Sequence, residues 1–188
     1  KGIKKVALTY INNDYGVGLA GTFRETYKAM GGIITADQVH EEKKQSYRSE
    51  LASLASGGSS KLVLIAMGEG SGMTMIRQSL EGGMFDTFIG ADGMRTDKMV
   101  ASIGGANLKG KLWGTLPSAK PSPQLDKFKS MYGDGKKYKY GSPFTAQGYD
   151  AVMLIALSAQ MAGSSDRTAI RDNLRKVANA PGVVVGPC

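Results

Sequence analysis

The first ninety or so residues repeat one unit, an apolar β-rich run, then a polar or glycine-containing loop, then a stretch of helical periodicity. That repetition leaves few folds open. Lys5 to Ile11 (Lys-Val-Ala-Leu-Thr-Tyr-Ile) is the first apolar run. Asn12, Asn13, Asp14 and Gly16 supply a turn and a helix cap. From Gly18 to Met30, Leu19, Phe23, Tyr27 and Met30 recur at the spacing of one helix face, and Gly31-Gly32 stops the helix. Gly32 to Val39 reads as a second strand, and the polar loop His40 to Gln45 follows it. Ser46 is placed to cap a helix with Tyr47, Leu51, Leu54 and Ala55 on one side.

The third run, Lys61 to Met67 (Lys-Leu-Val-Leu-Ile-Ala-Met), is apolar at nearly every position, as in a strand covered on both faces. The loop Gly68-Glu69-Gly70-Ser71-Gly72 leads into a helix bearing Met73, Ile76 and Leu80. Thr87 to Gly90 is a short fourth strand with Ala91-Asp92-Gly93 as its exit turn. Strands separated by helices of this length require right-handed crossovers and a parallel sheet, so the fold class is α/β. Ligands of such sheets sit outside the carboxyl ends of the strands. Four loops are therefore candidates: Asn12 to Gly16, His40 to Ser46, Gly68 to Gly72 and Ala91 to Arg95.

The second half changes character. Lys111 to Leu116 is one more strand, and Pro117, Pro121 and Pro123 mark an extended crossover. Ser122-Pro123 opens a helix through Leu125, Phe128 and Tyr132. A long apolar helix spans Thr145 to Ala162, and an amphipathic one starts at Asp166 with Ile170, Leu174 and Val177. These helices come without strands for them to cover, the pattern of a part of a larger protein.

Composition excludes several functions. The chain has 188 residues, one histidine (His40) and one cysteine (Cys188), so neither a Cys-His dyad nor a zinc site can be assembled within it. A lone thiol makes no internal disulfide and leaves the redox compartment open. The net charge of +8 is spread along the chain. Its densest cluster, Lys136, Lys137 and Lys139 interleaved with Tyr138 and Tyr140, reads as a solvated loop rather than a nucleic-acid patch. No apolar run approaches the roughly 20 residues of a membrane-spanning helix.

The glycine loop at 68 to 72 invites a phosphate-binding reading, because glycines let backbone N–H groups approach an anion at a helix start. Met73 stands where a dinucleotide fingerprint needs glycine, and no Gly-Lys-Ser/Thr ending is present. A flexible turn into a helix and a solute-binding loop both remain open. Asp92 at a strand exit can accept charge-assisted hydrogen bonds from a ligand ammonium, or bond its own backbone in an Asx-turn. Tyr15 is either a ring wall with a hydroxyl or a half-buried aromatic. Ser71 lacks the G-x-S-x-G context of a nucleophile, and Glu69 with Asp92 are too few carboxylates for a metal. No acid/base pair is indicated, no cofactor is implied, and the chain reads as a binder rather than an enzyme.

Five segments in order carry a resemblance: Asn13-Asp14-Tyr15-Gly16-Val17-Gly18-Leu19, Gly31-Gly32, Met75-Ile76-Arg77-Gln78, Phe88-Ile89-Gly90-Ala91-Asp92-Gly93 and Gly148-Tyr149-Asp150-Ala151. Over essentially the whole chain, the sequence resembles the type I periplasmic solute-binding proteins of branched-chain amino-acid ABC importers. The resemblance implies two lobes joined by three crossovers, with the ligand between them. Residues 1–114 then form the second lobe, 115–180 are returning helices of an incomplete first lobe, and 181–188 start the third crossover.

By the same resemblance, Tyr15 packs on the solute, Asp92 pairs with an amino group and Phe144 is an aromatic wall. Gly68, Glu69 and Ser71 lie where leucine-binding members carry an aromatic residue. The ring is absent at Gly68 and an aspartate stands in place of glutamate. The expected ligand is therefore an amino acid of branched-chain type or a related small solute, with extra room that would fit one larger or more polar than leucine. The implied partner is a membrane permease, with no nucleic acid, and the implied location is the periplasm or a lipid-anchored extracytoplasmic surface. The alternatives are a doubly wound nucleotide-binding domain and a sensory ligand-binding module.

Overall fold

The computed structural model describes residues 2–133 and 144–188 and divides the chain into two compact units, Lys1–Leu116 and Pro117–Cys188. The lysine and tyrosine cluster at 136–140 lies outside the described residues. In the first unit, five strands alternate with helices: β1 (Lys5–Ile11), α1 (Asp14–Ala29), β2 (Ile33–His40), α2 (Arg48–Ala55), β3 (Lys61–Ile65), α3 (Ser71–Glu81), β4 (Thr87–Gly90), α4 (Asp97–Ile103), α5 (Gly105–Leu108) and β5 (Leu112–Gly114). The sheet order is β2-β1-β3-β4-β5 and every pair is parallel.

Side-chain alternation along the strands builds two cores on the two faces of this sheet. Ala7, Leu62, Leu64, Ala66 and Phe88 pack with Tyr47, Leu51 and Leu54 of the α2 region, Met75 and Ile76 of α3, and Met99 and Ile103 of α4. Val6, Leu8, Val63 and Ile65 point the other way, onto Ala20, Phe23 and Tyr27 of α1. The first unit is thus a three-layer α/β lobe. The chain leaves β1 toward β2 and then crosses back to β3 on β1's other side. The sheet therefore reverses its strand order between β1 and β3, where α/β sheets open a crevice at their carboxyl ends.

Local signals explain where the elements differ from the sequence expectation. Helix α1 begins at Asp14 rather than near Gly18, because the Asn13 side chain caps it by accepting the Gly16 N–H at 2.9 Å. Ser46 is not the cap of α2. Tyr47 occupies that position, and its N–H donates to the Gln78 side chain at 2.8 Å. The third strand stops at Ile65, two residues short of the apolar run. Ala66 and Met67 have already turned into the loop, where the Met67 carbonyl accepts N–H groups of Gly70 and Gly72, each at 3.0 Å. The fifth strand keeps only Leu112–Gly114. Helices α4 and α5 were not legible as such, although Thr96 gives α4 an ordinary cap on the Lys98 N–H.

The second unit holds α6 (Pro123–Gly133), α7 (Thr145–Ala162) and α8 (Arg167–Ala178), the last capped by Asp166. Leu125, Phe128 and Ala146 form its small core. Helix α7 is apolar nearly all round, and Val152 and Ile155 are 66% and 54% exposed. A helix of that composition is normally buried on several sides.

Tyr47 shows how the first unit holds its polar loop. It is fully buried, and its hydroxyl donates to the Glu41 carbonyl at 2.8 Å and accepts the Lys44 N–H at 3.1 Å. Tyr47→Phe leaves both groups without that partner and should lower unfolding free energy by about 1–3 kcal/mol in urea titration. An unchanged midpoint would mean that water replaces the hydroxyl at no cost.

Candidate functional site

The loops after β1, β3 and β4 converge on Gly93. The Gly93 N–H faces the Tyr15 hydroxyl oxygen at 3.4 Å, and the Gly93 carbonyl accepts the Gly68 N–H at 2.8 Å. A side-chain carbon at Gly93 would lie 2.9 Å from the Ala66 carbonyl oxygen and 3.1 Å from the Tyr15 hydroxyl. Only glycine allows three loops to close this tightly. The Tyr15 hydroxyl donates to Asp92 Oδ1 at 2.9 Å. Burial, and then the bond to Asp92, raise the Tyr15 pKa above the ordinary tyrosine value, with the Gly93 N–H offsetting part of the rise. The hydroxyl therefore stays protonated and available as a donor.

Asp92 is not an Asx-turn residue here. It opens the one-turn helix Asp92–Met94 with no side-chain cap bond, and its carboxylate turns to Tyr15 instead. Among the described residues nothing donates to Oδ2. The pair thus presents one committed and one uncommitted carboxylate oxygen at the strand ends, which suits a cationic donor on a solute.

The remaining candidates divide. Glu69 is exposed and ties its loop to α4, accepting from Lys98 Nζ at 2.7 Å and the Thr96 hydroxyl at 2.9 Å. Those two bonds lower its pKa. Ser71 is buried at the start of α3, where its N–H and hydroxyl donate to the two Glu42 oxygens at 2.6 and 2.8 Å. Glu42 therefore occupies the anion position that a phosphate would need, which removes the basis of the nucleotide reading.

Gly68 is sealed rather than open. A side-chain carbon there would lie 2.7 Å from both the Met94 carbonyl oxygen and the Thr96 methyl group. The extra room expected from the missing ring is filled by the 94–96 segment. Phe144 belongs to the second unit, 45% exposed at the start of α7, with φ at 65° in the left-handed region.

Two features escaped the sequence. One is Met67, 39% exposed at the start of the loop after β3 with its sulfur beside Gly93. It looked like the last residue of a buried strand. The other is a polar chain behind the site. Thr9 Oγ1 lies 2.8 Å from His40 Nδ1, and His40 Nε2 lies 3.2 Å from the Ser71 oxygen. A neutral ring with its proton on Nε2 fits this order. It accepts from Thr9 and donates to Ser71, which donates to Glu42. Thr9 Oγ1 is also 2.8 Å from the Gln38 carbonyl and serves one acceptor at a time. Burial holds the His40 pKa down at about 4, against the opposing pull of Glu42, Glu50 and Glu41.

A groove of about 690 Å³ lies elsewhere, in the second unit between α7, α8 and the tail to Cys188. Its walls are mainly apolar, with Asp150, Gln160, Lys176 and Asn179 among them. Among the described residues no cluster of three or more His, Cys, Asp or Glu is placed to hold a metal, and no helix is long and apolar enough to cross a membrane.

Comparison with known proteins follows the same lines. Residues 1–187 match the profile of a family described as periplasmic binding protein. The structure is similar to the leucine-binding protein LivK of Thermotoga maritima, with TM-score 0.77 and 26% identity over 93% of this chain and 50% of that one. It is also similar to the substrate-binding protein LivJ of a branched-chain amino-acid transporter from Streptococcus pneumoniae, solved with isoleucine. That match has TM-score 0.71 and 24% identity over 97% of this chain and 51% of the other. A fatty-acid ABC transporter substrate-binding protein from Thermomonospora curvata shares the fold at TM-score 0.75 and 17% identity, over 100% of this chain and 49% of that one. The chain thus spans about half the length of these structures. No curated protein sequence matches it.

The buried histidine sets a pH dependence. Its pKa is about 4 folded and about 6.5 unfolded, so the unfolded state binds the extra proton between those values. Its stabilising contribution is complete above about pH 6.5 and is lost as pH falls toward 4, at up to about 1.4 kcal/mol per pH unit. Urea unfolding of wild type and His40→Gln at several pH values should show their difference shrinking across that window. A pH-independent difference would mean that His40 is not buried as the neutral ring.

Proposed function

This chain belongs to the periplasmic binding protein family, and we propose that it is the solute-capturing component of an ABC importer. Its first unit is the three-layer parallel lobe of the type I periplasmic-binding fold. The proposed ligand is an amino acid or a related small solute carrying an ammonium group, held in a cleft with Tyr15 and Asp92 on one wall. The observation that carries this reading is the Tyr15–Asp92 pair, with one carboxylate oxygen held by the phenol and the other without a partner among the described residues. The similarity to the leucine-binding protein LivK and to LivJ, solved with isoleucine, supports the amino-acid class.

In this reading residues 1–114 are the second lobe, 115–180 are returning helices of the first lobe, and 181–188 begin the third crossover. The apolar surface of α7 supports it, because Val152 and Ile155 call for a sheet against them. Phe144 serves as an aromatic wall from the first lobe. Glu69 stands at the rim, while Gly68 and Ser71 shape the wall through backbone and buried bonds. The importer's permease is the partner, reading the lobe closure that binding favours. The protein then works outside the cytoplasm, in the periplasm or anchored there by lipid, and it binds without catalysing.

Titration calorimetry of the full-length product against the common amino acids tests the reading. Asp92→Ala should weaken binding of an α-amino ligand by roughly 10- to 150-fold, the value of one charged hydrogen bond. Tyr15→Phe should weaken it less, since it frees Asp92 Oδ1 without removing the charge. Undiminished affinity in Asp92→Ala would refute the assigned role.

A further inference from the structure

Met67 is the one large apolar side chain of the β3 exit loop that reaches the surface of this site. Its neighbours Ala66 and Gly68 are buried, and its carbonyl is held by two N–H groups, so the backbone has no freedom there. Its sulfur lies 3.4 Å from the point where a side-chain carbon on Gly93 would stand, and the Tyr15 hydroxyl lies 3.1 Å from that same point. Those two distances place the thioether and the phenol oxygen within about 6.5 Å of each other, both against the residue that follows Asp92. Strand order adds a second argument. Tyr15 follows β1 and Met67 follows β3, so they stand on opposite sides of the point where the sheet reverses.

We propose that Met67 determines the specificity of this site, its thioether taking the aliphatic body of a solute whose ammonium is held at Asp92. The inference rests on the reading of Tyr15 and Asp92 given above, and it narrows the solute to an ammonium compound with an aliphatic group near its charge. An exposed thioether has no hydrogen-bond demand that a polar solute would meet, and burying it against methylene groups is favourable. Methionine is also unbranched and adaptable. The site therefore separates aliphatic from short or polar solutes more sharply than one branched chain from another. Gly68 cannot share this role, because no side chain fits there.

The test is calorimetry on the full-length product with L-leucine and L-alanine as probes, in wild type, Met67→Ala, Met67→Leu and Asp92→Ala. Wild type should prefer leucine. Met67→Ala should lose about tenfold or more of that preference, with alanine binding little changed, and Met67→Leu should restore it. If Asp92→Ala weakens both probes while Met67→Ala leaves the leucine-to-alanine ratio at its wild-type value, Met67 has no such role and the site reading stands. If Asp92→Ala binds both probes as wild type does, the site reading itself fails and takes this inference with it. Wild type that binds neither probe overturns both.

Discussion

Between β1 and β3 the backbone ladder joins strands far apart in sequence, pairing Ala7 with Leu62 through Tyr10 with Ile65. These two strands are buried on both faces, so their pairing carries much of the apolar area that stabilises the unit. It also decides what stands beside what at the carboxyl edge. With β1 and β3 in parallel register, the first turn of α1 bearing Tyr15 and the loop bearing Met67 leave the sheet side by side. The β4 exit then brings Asp92 and Gly93 to both of them. A slip of one residue in this ladder would turn Ala7 and Leu8 to the wrong faces and move the site apart.

The alternation of apolar runs with helical periodicity was enough to read the layered α/β fold, and all five strands lie within two residues of their expected bounds at each end. Those strands are legible because period and composition agree in them. The misses share a physical cause. Ala66 and Met67 continue an apolar run, yet backbone bonds from Gly70 and Gly72 turn them out of the sheet, and such bonds leave no mark in residue type. Helices α4 and α5 are short and follow an exit turn, where the periodic signal has few residues in which to show.

For the site, position was more legible than environment. The strand-end rule and the resemblance pointed to Tyr15 and Asp92, and the structure brings these two within hydrogen-bond distance. What spacing could not convey is the accounting of partners. Ser71 looked available in a glycine loop but is committed to Glu42, a residue from the loop after β2. His40 looked like an isolated residue and proves to be the middle of a buried chain from Thr9 to Glu42. That chain braces the start of α3 from behind.

The pinch at Gly93 divides the site into positions of very different evolutionary freedom. At 68 and 93 the main chains of neighbouring loops already fill the volume a side chain would need, so change there is a change to the fold. At 67 the main chain is just as fixed, but the side chain points out of the packed layer. Under the proposed role of Met67, a lineage can exchange residues at 67 and drift from one solute to another without first repairing its core. The same three-loop closure that makes the lobe rigid thus leaves one adjustable position at its surface, where new preferences can arise by single substitutions.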